Sequence, residues 1–179
     1  MSSLAVTVSI ELMLKINNLL IRSLPVTNTS VNVNELSQTS GNLELALRRN
    51  EAGPFATLYV SVDEVDSSAT IIFRIVAELE VSDAFDESKL KHLDIEEMMQ
   101  KYADLKPAIT ESVTHKYDDT GDKNGRRASR SLRITFNVFD KYFEYNEETG
   151  FDYNTDEIAA QSVQYVKALY DIHRDIFSR

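Results

Sequence analysis

Cysteine and tryptophan are absent from this 179-residue chain, and glycine and proline are scarce, at five and three residues. Without cysteine the chain has no disulfide bond, no thiol nucleophile and no thiolate metal ligand. The few glycines form neither a G-x-G-x-x-G fingerprint nor a P-loop, and no G-x-S-x-G elbow surrounds a serine. These absences exclude the commonest sequence signatures of enzymes and predict a protein without catalytic residues.

Long apolar runs and basic residues are also in short supply. No run of about 18 consecutive apolar residues, the length that crosses a bilayer, is present. The first ten residues lack the basic region that opens a signal peptide, so we expect a cytoplasmic protein without membrane insertion. Lysine and arginine number 19 against 29 acidic residues, for a net charge of -10. This charge disfavours nucleic acid as a partner and favours basic segments of polypeptide.

No metal site is indicated by the histidines or by the one calcium-like loop. The three histidines lie far apart in the sequence: His92, His115 and His173. The loop 119–125 superficially matches an EF-hand, but with Gly125 at position 6 the strong ligand positions 1 and 12 fall on Thr120 and Ser131. We therefore predict no metal and no cofactor.

Alternating apolar residues predict an antiparallel sheet across residues 4–81. Leu4 to Ile16 alternates almost without fault and predicts a long first strand, followed by a polar connection at 27–42. Further strands are predicted from Leu43, over 55–65 and over 69–81. The short turns between the later strands, such as Asp66 to Ser68, predict hairpins and hence a meander.

Helical patterns follow the predicted sheet. Capping-box spacing at Asp94 and Glu97 predicts helices over about 95–117, interrupted by Pro107. A polar loop at 118–130, an extended segment at about 131–143 and a C-terminal helix at about 155–178 complete the chain. The predicted fold is therefore a single α+β domain, an antiparallel β-meander sheet covered on one face by helices.

Aromatic residues crowd the segment from Phe136 to Tyr153. In an extended strand Phe136 and Phe139 point to opposite faces, so both faces would need apolar cover. That cover could come from a second subunit, which makes the segment an oligomer interface, or from a bound apolar polypeptide, which makes it a client groove. The residues expected to line such a groove are Met99, Ile109, Val113, Phe136 and Phe139.

The order of elements resembles the SecB-like family of protein-export chaperones. The resemblance rests on the sheet 55–81, on Leu105-Lys-Pro107-Ala-Ile109-Thr-Glu-Ser-Val113, which is similar to the central helix of the family, and on 132–137. It implies a homotetramer with the sheets outward and the helices between them, holding unfolded chains without ATP. The family's outward strand carries acidic residues that contact the translocation ATPase, which points to Glu78 and Glu80, although Arg74 departs from that pattern.

The sequence thus predicts an ATP-independent chaperone that binds unfolded or dedicated partner polypeptides as a homo-oligomer. The alternative is a non-catalytic structural or assembly protein, such as a phage-encoded one, that self-associates through the same aromatic surface. An apolar dye separates these two hypotheses, because an open groove binds dye and a closed interface does not. An enzyme ranks third and would require a cleft that joins a histidine to buried carboxylates.

Overall fold

The computed structural model describes residues 3–49, 53–82, 100–117 and 126–177 and combines two long helices with an antiparallel sheet. The predicted α+β class is confirmed. In chain order the elements are α1 (Leu4–Ser23), β1 (Val26–Leu36), β2 (Ser40–Arg49), β3 (Gly53–Val65), β4 (Thr70–Ser82), a 3₁₀ turn (Ala103–Leu105), β5 (Ala108–Tyr117), β6 (Arg126–Glu144) and α2 (Thr155–Phe177).

The six strands lie in the order β1-β2-β3-β4-β6-β5, and β2, β3 and β4 form the part of the meander that was predicted. The β1–β2, β2–β3 and β5–β6 pairs are antiparallel. By its internal contacts the chain divides into two compact units, residues 1–77 together with 137–179, and residues 78–136. All elements that cover the core face of β1 to β3 belong to the first unit.

The first element is a helix, and the predicted strand over 4–16 is wrong. Apolar residues are so dense here that they satisfy a period of two and a period of 3.6 together. The buried residues follow the helical spacing: Ala5, Val8, Leu12, Ile16 and Leu20. Ile10 and Leu14, which the strand prediction placed inward, are 41% and 54% exposed. The helical period prevails because α1 has a sheet to pack against on one side only.

Local signals at both ends of α1 support the helix. Ser3 is the N-cap, and its Oγ accepts a hydrogen bond from the Val6 N–H at 3.1 Å. At the other end the Leu24 N–H donates to the Leu20 carbonyl at 2.9 Å. Leu24 is itself extended because the following Pro25 disfavours helical backbone in the residue before it. Pro25 therefore directly follows the end of the helix.

The predicted connection at 27–42 is also wrong, because the segment holds β1 and the first residues of β2. Its serine, threonine and asparagine content is typical of loops. However, Val31 and Val33 alternate with asparagines, and β1 pairs with β2 in antiparallel register from Val26 to Leu36, with two irregularities. Pairing thus outweighs the local preference of these residues for turns.

The strands β2, β3 and β4 form the core that their alternation predicts. Their buried side chains are Leu43, Leu45, Leu47, Phe55, Ala56, Leu58, Val60, Val62, Ile71, Phe73, Ile75, Ala77 and Leu79. The predicted turn between β3 and β4 is confirmed, with Asp66, Ser67 and Ser68 all in left-handed backbone at φ 52, 57 and 66°. Asp66 and the serines suit this tight turn because their short polar side chains can hydrogen-bond nearby backbone.

The predicted helix over 107–117 is wrong, since β5 occupies Ala108–Tyr117 and pairs with β6. Gln100 and Lys101 are helical and lead into the 3₁₀ turn, after which Lys106 is left-handed at φ 48°. Pro107 then starts a strand rich in β-branched residues, which favour extended backbone. The predicted helix start at 94–97 lies outside the described residues.

Both remaining elements were predicted. The extended segment at 131–143 is confirmed but belongs to a longer strand, because β6 already begins at Arg126. Of the predicted loop, 126–130 is therefore strand, and 118–125 lies outside the described residues. The C-terminal helix α2 is confirmed, and Asn154 caps it through an Oδ1 that accepts from the N–H groups of Asp156 (2.9 Å) and Glu157 (3.3 Å).

Helix α1 lies against β2 at a glycine. Gly41 is buried, and a Cβ atom added to it would lie 2.9 Å from the Ser9 Cβ and 3.1 Å from the Ala5 carbonyl oxygen. Ser9 is fully buried, and its Oγ donates to the Val6 carbonyl at 2.8 Å. The absence of a side chain at Gly41 therefore sets how closely α1 approaches the sheet.

Replacing Gly41 with alanine is expected to destabilise the fold by about 1–3 kcal/mol, because the added methyl group overlaps Ser9. Urea unfolding followed by circular dichroism measures this cost. The same replacement should cost less in a Ser9→Gly background, where the colliding side chain is gone. Equal costs in the two backgrounds would show that the contact does not limit the packing of α1.

A polar cluster joins the middle of α1 to the start of α2. Lys15 Nζ lies 2.8 Å from Glu11 Oε1, 2.9 Å from Asp156 Oδ1 and 2.7 Å from Thr155 Oγ1. Thr155 in turn donates to Glu11 Oε1 at 3.0 Å. The hydrogen bonds from Lys15 and then from Thr155 lower the pKa of Glu11, and those to Glu11 and Asp156 raise the pKa of Lys15. The two helices are thus held side by side by charge as well as by apolar contact.

This cluster predicts a small loss of stability in acid. Because the folded-state pKa of Glu11 lies below its ordinary value of 4.5, its contribution is full above that value and is lost as the pH falls through the folded pKa. The effect is modest because both partners are partly exposed to solvent. The stability difference between wild type and Glu11→Gln, measured by urea unfolding, should shrink between about pH 6 and pH 3. Glu148→Gln, in an exposed loop, is the control and should show a smaller difference that varies less with pH.

Candidate functional site

The aromatic segment that we predicted to exceed the capacity of one globule mostly packs within the chain. In the first unit the ring of Phe73 on β4 makes edge-to-face contacts with Phe143 and Tyr153, at centroid distances of 5.6 and 5.0 Å. Phe139 is 7% exposed. Tyr142 and Tyr145 remain outside, at 66% and 55%. Phe136 and Phe139 are therefore core, the rings of Phe143, Phe151 and Tyr153 are half-buried, and the segment does not form one continuous apolar face.

Phe136 is not the wall of an open groove. It belongs to the second unit, is fully buried, and packs edge-to-face on the equally buried ring of Tyr102 at 5.2 Å. Burial raises the pKa of the Tyr102 phenol, and within the described residues its hydroxyl has no hydrogen-bond partner. We expected Phe136 and Phe139 to present apolar surface to a partner. Their placement corrects this expectation, because both side chains are buried within the chain.

This packing predicts opposite effects for two substitutions. Phe136→Ala should cost about 3–5 kcal/mol, as deletion of a fully buried ring does. Tyr102→Phe should leave stability unchanged or raise it by about 1 kcal/mol, because it removes a buried hydroxyl without a described partner. Urea unfolding and hydrogen exchange of the β6 amides measure both. A Phe136→Ala variant of full stability would instead restore the groove hypothesis for this ring.

The other predicted site residues are dispersed. Met99 lies outside the described residues, and Ile109 and Val113 lie on β5, opposite Ile134 and Arg130 of β6. Glu80 lies on β4.

Glu78, predicted as an acidic docking residue, faces a basic one. Arg133 Nε lies 3.3 Å from Glu78 Oε1, and the Glu78 side chain is 24% exposed. Arg74 lies 3.9 Å from Asp140 across β4 and β6. The charges of β4 are thus partly balanced within the chain, which weakens the case for Glu78 as a docking acid.

A cleft of about 330 Å³ opens beside the N-terminus of α2. Phe139, Phe143 and Tyr153 line it together with Asp152 and Glu157. Lys141, also in the lining, places its Nζ 5.5 Å from the centre of the Phe139 ring. Within the described residues, no three histidine, aspartate or glutamate side chains come together as a metal site requires. The cleft offers an aromatic and charged surface but no recognisable arrangement of reacting groups.

Apolar side chains are instead exposed on one flank of α1 and on β1. On α1 they are Ile10, Leu14 and Ile21, and on β1 they are Val31, Val33 and Leu36, with exposed fractions between 41% and 58%. We call these six residues the α1–β1 surface. Single exposed apolar residues are ordinary on proteins, but a contiguous group marks a surface that binds something.

Strand register shows that the β1 residues face the side of the sheet that carries the helices. Val31 and Val33 pair with Leu45 and Leu43, and Leu36 pairs with Gly41. Directly opposite residues of an antiparallel pair point to the same face, and the two leucines and the glycine are buried beneath α1. Val31, Val33 and Leu36 therefore lie on the inner face of the sheet but are largely exposed.

Helix geometry places the α1 residues on the matching side. At 100° per residue, Ile10, Leu14 and Ile21 fall within a narrow stripe about 120° from Lys15, which contacts α2. Helix α1 packs on β1, β2 and β3, and α2 lies further along the sheet, where Tyr170 contacts Phe55 of β3. The apolar stripe thus lies on the side of α1 that faces away from α2, and it points more toward solvent than toward the sheet.

Sequence reasoning missed this surface because both of its elements were assigned wrongly. A helical wheel of residues 4–23 would have shown more apolar residues than one buried face can use. The valines at 31 and 33, alternating with asparagine, would have indicated a strand with one apolar face. Neither pattern predicts that these side chains are exposed, because their exposure depends on where α2 lies.

Helix α1 is also long and apolar enough to cross a membrane, judged by length and composition alone. Buried helices of water-soluble proteins and N-terminal signal sequences pass the same test, and close to half of this helix is buried against the sheet. Its exposed stripe is thus one part of an otherwise packed helix.

Comparison with known proteins returns no match: no family model, no curated protein and no solved structure resembles the chain. The structure differs from one of the resemblances to the SecB-like family that the sequence suggested. The stretch 105–113, which is similar to the central helix of that family, is here the end of a 3₁₀ turn followed by β5. We therefore base the proposed function on the α1–β1 surface.

Proposed function

We propose that this protein is a non-catalytic, ATP-independent chaperone that holds unfolded or partner polypeptides on the α1–β1 surface. The observation that carries the proposal is the exposure of six large apolar side chains on two elements that contact each other, three on the inner face of β1 and three on α1. Such a surface lowers its free energy by covering apolar area, and each buried aliphatic side chain contributes on the order of 1 kcal/mol or more. Membership of the SecB-like family stays a prediction.

The charge of the chain suits this activity. With a net charge of -10, the molecule attracts basic segments, which are frequent in unfolded chains before they become compact. The apolar stripe of α1 contains no charged residue, so binding there does not require a buried charge to lose its water. Attraction at long range and apolar contact at short range are therefore supplied by different parts of the molecule.

The test is the aggregation of a denatured client protein after dilution, followed by light scattering. Wild-type protein at equimolar ratio should delay aggregation, and the Leu14→Gln/Ile21→Gln double variant should lose affinity by on the order of tenfold. A Tyr142→Gln/Tyr145→Gln double variant is the matched control, because it removes apolar side chains of similar exposure elsewhere. It should hold the client like wild type.

Two results would contradict the proposal. One is a wild-type protein that does not delay aggregation, and the other is an equal loss in both double variants. Circular dichroism and urea unfolding of each variant establish that it is folded. Binding of an apolar dye measures the exposed apolar surface in the absence of a client. It should decrease in the Leu14→Gln/Ile21→Gln variant and not in the control variant.

A further inference from the structure

The free edge of β1 adds backbone hydrogen bonding to the apolar surface beside it. In the strand order β1 lies at the end of the sheet, and among the described strands it pairs with β2 alone. A strand in this position presents a row of N–H and C=O groups on its outer side that another extended chain can pair with. The surface therefore offers two kinds of attraction at one place.

The edge carries few of the features that prevent strand pairing. Val26–Leu36 contains no proline, lysine or arginine, and Glu35 is its one charged residue. Two register irregularities, between Asn28 and Ser30 and between Val33 and Glu35, interrupt the pairing with β2. Between them Ser30–Val33 forms a regular ladder. Bulges of this kind limit the length over which a new strand can pair and leave a short window open.

The side chains around this window favour an alternating sequence. A strand added to β1 would point every second side chain to the inner face, in line with Val31 and Val33, and the others to the opposite face. Inward side chains would extend the apolar row of Val31 and Val33, which are 42% and 58% exposed. Outward side chains would lie on the face of Asn32, which is polar and uncharged.

From these observations we propose that β1 takes up its client by strand addition, as the seventh strand of the sheet. The client class is an extended segment of about five residues that alternates apolar with uncharged polar side chains, flanked by lysine or arginine. This inference rests on the proposed function and specifies how and what the surface binds. Proline-rich and helical segments are excluded from the class, because neither presents a row of backbone donors and acceptors.

Charge decides between a client and a second copy of this chain as the occupant. A second copy could pair β1 with β1 about a twofold axis, but each copy carries a net charge of -10, and the two would repel. A segment flanked by basic residues is attracted by this negative charge. Its uncharged centre would pair with residues 30–33, which are also uncharged. The proposal therefore commits to a foreign polypeptide.

The probe is a fluorescein-labelled peptide, KTVTVTVTK, whose binding to the full-length protein is measured by fluorescence anisotropy. Three comparison peptides carry the same side chains: KTTVVVTTK, in which the alternation is lost, and two versions of the probe with N-methyl groups on all valine or all threonine amides. N-methylation removes the N–H donors of one edge of the strand without changing the side chains.

The probe should bind, KTTVVVTTK should bind several-fold more weakly, and one N-methylated version should lose at least about tenfold in affinity while the other is tolerated. Strand addition predicts this asymmetry because only one edge of the added strand faces β1. Val33→Lys should weaken probe binding more than Asn32→Lys does. The two variants add the same charge to the same strand and differ in the face that they alter.

Each contrary result overturns a distinct statement. If the probe binds but both N-methylated versions bind equally well, strand addition is wrong and the polypeptide-binding function stands. If the probe does not bind while denatured clients are held, the client class is wrong. If the protein sediments as a dimer that Val33→Lys dissociates and the probe does not bind, a second copy occupies the edge. Failure to hold any client is a failure of the proposed function itself.

Discussion

The contact between α1 and β2 is the constraint on which the rest of the first unit depends. Gly41 and Ser9 bring the helix close to the strand, and the leucines of β2 fill the space on either side. Interiors are packed like crystals, so a helix seated at one place on a sheet leaves little freedom to its neighbours. Because α1 is centred over β2 and β3, α2 must lie further along the sheet, and Val31, Val33 and Leu36 of β1 are left exposed.

The open surface is thus a consequence of where two helices fit rather than of an unusual composition. Its valines and leucines are the same residue types that fill the core under α1. What distinguishes them is that no third helix lies on the far side of α1 in the described part of the chain. A chaperone needs apolar surface that stays open in the native state, and an uncovered edge of a sheet supplies it without loss of the core.

Charge and apolar contact are separated in this molecule in a way that suits the proposed activity. The excess of acidic residues acts over distances of about a Debye length, near 8 Å at physiological salt. Glu78, an obvious candidate for a specific acidic contact, is instead paired with Arg133 on a neighbouring strand. The acidic character therefore supports a general attraction better than a particular docking contact, while the uncharged window at Ser30–Val33 would select what is bound.

The sequence by itself determined the α+β class, the strands β2 to β4, the turn at Asp66–Ser68 and the capped helix α2, because in each case local preference and burial agree. It did not determine α1, where dense apolar residues satisfy two periods, or β1 and β5, whose residues become strands through pairing with the strand that follows each of them. Tertiary structure alone decided which apolar residues are covered. The rings of Phe73, Phe143 and Tyr153 cover one another, whereas Val31 and Val33 remain open because exposure depends on the position of every neighbouring element.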